Sequence, residues 1–179
     1  MDTTTLFNFT NSQITLMLIA LILALATYLI LKRLQQQPTT GLKEQRRLEI
    51  LEAVSTQVGT VTHIFSQYST LVVESIQLGD RWPAARRQEL EVINSDLVAE
   101  FKKLAEAEAR LLMIGEKNLE RSLRLYGAKI AIYRKQVFVG RKDITPEQIT
   151  ALKSAIHQIR EQFYDMLSRK YDRLLTSNA

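Results

Sequence analysis

Side chains that commonly do chemistry are sparse in this sequence. Histidine occurs twice, at His63 and His157, without the repeated carboxylate and histidine spacing of a di-iron bundle or a zinc protease. Cysteine is absent, which excludes a disulfide framework, a thiolate metal site and a cysteine nucleophile. Neither a glycine-rich phosphate loop nor a serine nucleophile elbow occurs. We therefore expect no catalytic, cofactor-binding or metal-binding residues, and an enzyme is the function class with the least support.

A basic segment runs from Arg121 to Lys142 without an acidic residue, and three aromatic residues lie between its charges. At helical spacing this pattern is typical of aromatics in a core with the charges solvated. Nucleic acid and anionic lipid are the alternative partners, since each basic group near an anionic membrane contributes about 1 kcal/mol. The lipid interpretation requires that the helix does not reverse at Gly115. The anionic-surface candidates are Arg121, Arg124, Lys129, Arg134, Lys135, Arg141 and Lys142.

The stretch from Ala53 to Val73 carries no formal charge and is rich in β-branched residues, so it is helical only if its surroundings favour a helix. It predicts either a helix buried in a bundle or a helix whose second face joins another copy or a partner. Trp82, the only tryptophan, either caps the end of the bundle or forms a partner-binding tip. The partner-interface candidates are Val58, Val61, Phe65, Tyr68, Val72 and Trp82.

Residues 14–31 form the most apolar segment of the chain, eighteen residues without a charge. As a helix they would rise roughly 27 Å, against a hydrocarbon core of about 30 Å, which predicts a transmembrane helix. Lys32 and Arg33 follow directly, whereas Asp2 is the only charged side chain before the segment. The positive-inside rule then predicts an outside N-terminus and a cytoplasmic C-terminal part.

Two other interpretations of this segment are weaker. Ala24-Leu25-Ala26 resembles a signal-peptide cleavage site, but the preceding residues lack positive charge and the apolar run continues to Leu31. A buried core helix needs only an apolar stripe, whereas this segment is apolar all round. We therefore expect a single-pass protein of the cell membrane.

Apolar residues at alternating steps of three and four predict helices over about 42–78, 83–114, 116–139 and 146–175. Gly115 marks either a kink or a reversal. Thr145, Pro146 and Gln148 have the spacing of a helix-capping box. The chain therefore divides into a short extracytoplasmic N-terminus (1–13), a transmembrane helix (14–31), a juxtamembrane linker (32–41) and a cytoplasmic bundle (42–179).

The predicted fold is all-α, with one N-terminal transmembrane helix followed by an elongated antiparallel three- or four-helix bundle with coiled-coil-like packing. Many unrelated bacterial membrane proteins share this layout, so it transfers no function. The leading hypothesis is a non-enzymatic scaffold or adaptor of the inner membrane that self-associates or docks a partner protein. The alternative is a membrane-acting regulator or effector that senses anionic lipid through a basic helix. Nucleic acid is a less favoured partner.

Overall fold

The computed structural model describes residues 20–32 and 38–176, with the backbone alone for residues 38–40. All regular structure in this part of the chain is helical, which confirms the predicted all-α class. The chain divides between Gln45 and Arg46 into two compact units. The elements are α1 at 20–32, α2 at Pro38–Leu78, a 3-10 turn at Gly79–Arg81, α3 at Ala84–Met113, α4 at Lys117–Gln136 and α5 at Pro146–Thr176.

Helix α1 contains most of the segment predicted to cross a membrane. Among residues 20–32 and 38–176, no helix is long and apolar enough to do so. The predicted span begins at Ile14, and residues 14–19 lie outside the described part of the chain, as do the predicted N-terminal segment 1–13 and residues 33–37 of the predicted linker. The described residues therefore do not support the transmembrane helix, which stays a prediction from sequence.

Helix α2 begins at Pro38, four residues before the start predicted at Leu42. Proline suits a first helical turn, because its fixed backbone angle is helical and its missing N–H would have no partner there. Residues 38–41, assigned by sequence to the linker, are thus the first turn of α2, and Lys32 belongs to α1.

Consecutive helices of the second unit pack antiparallel. Between α2 and α3, Gln57 Nε2 donates to Glu100 Oε2 at 2.6 Å, and the Arg86 guanidinium pairs with Glu74 near the connecting turn at 2.7 Å. Lys170 of α5 pairs with Glu116 before α4 at 2.6 Å. Helix α5 also contacts α2, through hydrogen bonds from Tyr164 to the Ser55 carbonyl and from Tyr171 to the Glu52 carboxylate. Helices α2 to α5 therefore form an antiparallel four-helix bundle.

Helices α2 and α4 run in the same direction and meet through aromatic side chains. The Tyr126 hydroxyl lies 2.8 Å from Thr62 Oγ1, and the ring of Tyr133 meets that of Phe65 edge to face at 5.0 Å. The bundle thus has two ends. We call the end with Trp82 the α2–α3 end and the end with Arg46 and Gly115 the α3–α4 end.

The second unit has its own hydrophobic core. The buried apolar side chains of the described chain all lie between Ile50 and Leu174, within the unit that begins at Arg46. A continuous core of this kind is what a domain needs to fold independently. We therefore expect a fragment of residues 46–179 to fold without the preceding segment.

Gly115 is a reversal of the chain rather than a kink. Its φ is +82°, a conformation that glycine adopts without a steric penalty. The Glu116 N–H donates to the Leu111 carbonyl at 2.9 Å and the Gly115 N–H to the Leu112 carbonyl at 3.0 Å, which is the Schellman arrangement that ends a helix. The chain then returns as α4 against α3.

The connection from α4 to α5 contains the predicted capping box. The Thr145 hydroxyl accepts from the Gln148 N–H at 3.3 Å, and the Gln148 side chain accepts from the Thr145 N–H at 3.1 Å, which confirms it. Helix α4 ends at Gln136, three residues before its predicted end. Val137 is extended and buried, and Arg141 satisfies the Gln136 carbonyl that the shortened helix leaves open.

Candidate functional site

The six residues predicted as a partner interface lie inside the bundle. Each is at most 7% exposed, and together they form the α2 part of the core and the cap at its α2–α3 end. The apolar seam of α2 is therefore covered by the chain's own helices α3, α4 and α5. In this fold the six candidates therefore contact the chain's own helices and not an exposed surface. They are Val58, Val61, Phe65, Tyr68, Val72 and Trp82.

The opposite side of α2 is exposed and carries a second series at alternating steps of three and four. We call this series the α2 outer face. It contains no charged side chain, since the nearest charges along α2 are Glu52 and Glu74. Its residues are Ala53, Thr56, Thr60, His63, Gln67 and Thr70.

The threonine hydroxyls of the α2 outer face are already satisfied by their own helix. Thr56 donates to the Glu52 carbonyl at 3.1 Å, Thr60 to the Thr56 carbonyl at 3.1 Å and Thr70 to the Ser66 carbonyl at 2.9 Å. A threonine hydroxyl that donates to its own helix in this way does not need a water molecule as acceptor. Covering the face would thus leave fewer polar groups without partners than covering an ordinary polar surface.

A groove lies on each side of the α2 outer face. Between α2 and α5 the groove has a volume of about 500 Å³ and is lined in part by Leu51, Thr56 and Leu167. Between α2 and α3 a smaller groove of about 280 Å³ is lined in part by His63 and Thr70. The face is thus a ridge between two grooves, the shape that interlocks in helix packing.

Trp82 caps the α2–α3 end of the bundle and is 5% exposed. The pKa of Glu74 is lowered, chiefly by the hydrogen bond from Arg86. Arg86 also bonds Glu89 at 2.7 Å. Ion pairs of Arg86 thus stabilise the turn beside the buried indole ring. Trp82 is not an exposed partner-binding tip.

The basic segment follows the reversal at Gly115 and runs along α4, so its two ends lie at opposite ends of the bundle. Arg134 lies beside α3 and α2, near the α2–α3 end, and the residues after it continue to that end. Arg121 and Arg124, in the first half of α4, lie toward the α3–α4 end. The lipid interpretation required a helix that does not reverse, and the turn at Gly115 does not meet that condition.

Three of the seven basic residues have partners within the bundle. Arg134 donates to Asn94 Oδ1 at 2.6 Å and covers the Tyr68 ring at 5.6 Å. Arg141 pairs with Asp143 at 2.9 Å, and Arg124 lies 3.6 Å from Glu120. Lys129 is half-buried. The exposed members of the segment are Arg121, Arg124, Lys135 and Lys142.

Three of the titratable groups with displaced pKa values lie where helices meet. Hydrogen bonds from Lys103 and then Gln57 lower the pKa of Glu100, whose side chain is buried between α2 and α3. Burial raises the pKa of Tyr133 to about 12. The hydrogen bond to Glu52 raises the pKa of Tyr171. Each shift follows from a packing interaction rather than from a cluster of reactive groups.

The two histidines lie on the surface and apart. His63 belongs to the α2 outer face, whereas His157 of α5 lies beside Arg160 and Glu161. Within residues 20–32 and 38–176, no group of three or more histidine, aspartate or glutamate side chains is arranged to hold a metal ion.

Comparison with known proteins gives no family for this chain: no protein-family model, curated protein or solved structure matches it significantly. The α2 outer face was not identified from sequence as a series of its own. The signal was present, since a second run of three- and four-residue steps lies in the same uncharged stretch as the core seam.

Proposed function

We propose that this protein is a non-enzymatic scaffold, anchored in a membrane by residues 14–31, whose copies associate through the α2 outer face. The observation that carries the proposal is an exposed helix face without charge from Ala53 to Val73. Charged residues make up 24% of the chain, so about five are expected in a stretch of this length with a solvated face. Their absence favours a face that is covered in the functional assembly.

The chemistry of the α2 outer face suits a second copy of itself. A dimer with twofold symmetry brings the same patch together from both subunits, so like charges would face each other across the axis. An uncharged ridge avoids that repulsion, whereas the exposed side of α4, with Arg121, Arg124 and Lys135, would create it. The bonded threonines reduce the desolvation cost, and the flanking grooves can receive side chains of the partner copy.

The membrane anchor in this proposal rests on sequence and on the character of α1. The large apolar side chains of α1 are 52–66% exposed, and such a helix is stabilised by an apolar environment. Lys32 and Arg33 favour a cytoplasmic C-terminal part under the positive-inside rule. Tethering would also help association, because copies confined to one membrane meet at a raised effective concentration.

The alternative, a regulator that senses anionic lipid through the basic helix, has less support. Arg134 and Arg141 bond to Asn94 and Asp143 of the bundle. Because the chain reverses at Gly115, the C-terminal half of the basic segment lies toward the α2–α3 end. An adaptor would bind a different protein through the same α2 outer face. The mass of the purified chain separates the two possibilities, because only self-association raises it above that of a monomer.

The test is the mass of the full chain in detergent, measured by light scattering with size-exclusion chromatography. We expect a dimer or larger assembly, and a monomer for a T60E/Q67E variant, which places charge on the α2 outer face. Glutamate is a good helix former, so these changes do not weaken α2 itself. The matched control is S95E/A99E on the exposed side of α3, which should retain the wild-type mass. A strictly monomeric wild-type protein would contradict the proposal.

A further inference from the structure

The turn between α3 and α4 exposes large apolar side chains. Met113 is 82% exposed and Leu112 is 50% exposed, at the last two residues of α3. Single apolar residues on a surface are common and need no explanation. Two adjacent ones at the tip of a hairpin, at one end of the bundle, form a projecting apolar point.

Basic side chains lie at the same end of the bundle as this point. Arg110 lies three residues before Met113 and Lys117 four residues after it, and both are exposed. From α5, Arg169 and Arg173 line a cavity of about 380 Å³ together with Leu119 of α4. An apolar tip at the same end as these basic side chains complements an anionic lipid surface, whose headgroups are negative above an apolar interior.

Three acidic groups near the turn are paired with basic side chains of the bundle. Glu116 is neutralised by Lys170, whose Nζ lies 2.6 Å from its carboxylate. Glu120 lies 3.6 Å from Arg124 and is 8% exposed as a residue. Glu49 is paired with Arg46 at 3.0 Å. The arginines of α5 and the two basic residues beside the tip are themselves exposed, so they can reach an anionic surface.

The α3–α4 end is also where the chain enters the bundle. Tyr171 of α5 bonds Glu52 of α2, and the neighbouring Lys170 bonds Glu116, so Glu52 and Glu116 lie at a similar height. Arg46 is nearly two turns before Glu52 along α2. Arg46, the first residue of the second unit, therefore lies at the same end of the bundle as Met113.

We propose that the α3–α4 turn inserts Leu112 and Met113 into an anionic lipid surface, with Arg110, Lys117, Arg169 and Arg173 bound to headgroup phosphates. This inference rests on the proposed function for the anchor alone, not for self-association. The occupant is lipid rather than a second copy, because two such basic ends would repel each other.

The test uses the fragment 46–179, which has its own core and lacks the anchor. The chain contains no cysteine, so M113C accepts a single polarity-sensitive fluorophore, and D80C at the opposite end of the bundle is the matched control. Vesicles contain either phosphatidylcholine alone or equal parts phosphatidylcholine and phosphatidylglycerol. We expect the emission of the M113C label to shift to shorter wavelength with the anionic vesicles and not with the neutral ones. The shift should decrease as salt is added, and the D80C label should show none.

Vesicle sedimentation of unlabelled variants gives a second readout. L112S/M113S removes most of the inserted apolar surface and should weaken partitioning at least about tenfold. R110E/K117E should also weaken it at least about tenfold, whereas the matched K135E/K142E, distant from the turn, should change it less than about twofold.

Any of four results in the vesicle experiments would overturn the inference: an unchanged M113C label, an equal shift of the D80C label, equal binding to neutral vesicles, or equal losses in the two charge-reversal variants. A shift of the M113C label on raising protein concentration without vesicles would identify a second copy as the occupant and also overturn it. Self-association is read separately by mass, so a monomer with a responsive M113C label contradicts only the scaffold proposal.

Discussion

Arg134 of α4 donates a hydrogen bond from its Nη2 to the Oδ1 of Asn94 in α3 across 2.6 Å. Its guanidinium carbon also lies 5.6 Å from the centre of the Tyr68 ring in α2, so one basic side chain connects three helices. Lys135, the next residue, is exposed. Adjacent residues of one basic segment thus have different roles, and charge count alone does not distinguish them.

We predict that R134A destabilises the bundle by about 1–2 kcal/mol, through the lost hydrogen bond and the lost contact with Tyr68. The matched K135A should lie within about 0.5 kcal/mol of wild type, as expected for an exposed residue. Urea unfolding of the fragment 46–179 followed by circular dichroism measures both. Equal effects of the two substitutions would contradict the assignment of Arg134 to the packing of the bundle.

The turn at Gly115 offers a second prediction. Nothing lies within 4 Å of the position that a Cβ would occupy, so a substitution is resisted by the backbone angle of +82° alone. G115A should destabilise the fragment by about 1–2 kcal/mol, whereas G115N should recover much of this loss, because asparagine tolerates the left-handed conformation. An unfolding free energy of G115A equal to that of wild type would contradict the Schellman turn.

Trp82 gives a spectroscopic prediction because it is the only tryptophan. A side chain that is 5% exposed should emit at short wavelength and be protected from iodide quenching. W82A should cost about 3–5 kcal/mol of stability, as for other large aromatic truncations in cores. Quenching as efficient as that of a free tryptophan analogue would instead indicate an exposed tip.

Tyr133 predicts a loss of stability in strong alkali. Its pKa is raised from 10.0 to about 12 by burial in the fold, so between these values the folded state holds a proton that the unfolded state has released. The stabilisation is complete below pH 10 and is lost as the pH rises through 12. Y133F removes this dependence, so the difference in unfolding free energy between wild type and Y133F should fall across that range. A constant difference would contradict the assignment.

Local rules predicted most of the secondary structure. The capping box at Thr145 and Gln148, the proline start of α5 and the core seam of α2 follow from spacing and backbone preference, which act within a few residues. Gly115 could not be resolved in this way, because glycine is compatible with both a kinked helix and a reversal. Its conformation is decided by the packing of α4 against α3.

The candidate site was harder to predict, because periodicity identifies which residues share a face and not what covers that face. Val58 and Val61 were predicted to contact a partner but lie in the core. Thr60 and His63, each two residues further along α2, are exposed. Both series have the same spacing. Only the positions of the surrounding helices determine which series faces outward.

Disulfide cross-linking in native membranes tests most directly whether the α2 outer face joins two copies. The chain has no cysteine, so T60C and Q67C each introduce a single thiol on this face, and S95C and A99C do so on the exposed side of α3. Around a twofold axis equivalent positions approach each other, within reach of a disulfide. We expect cross-linked dimers for T60C or Q67C and monomers for both α3 variants. Equal cross-linking on the two helices, or none on α2, would contradict it.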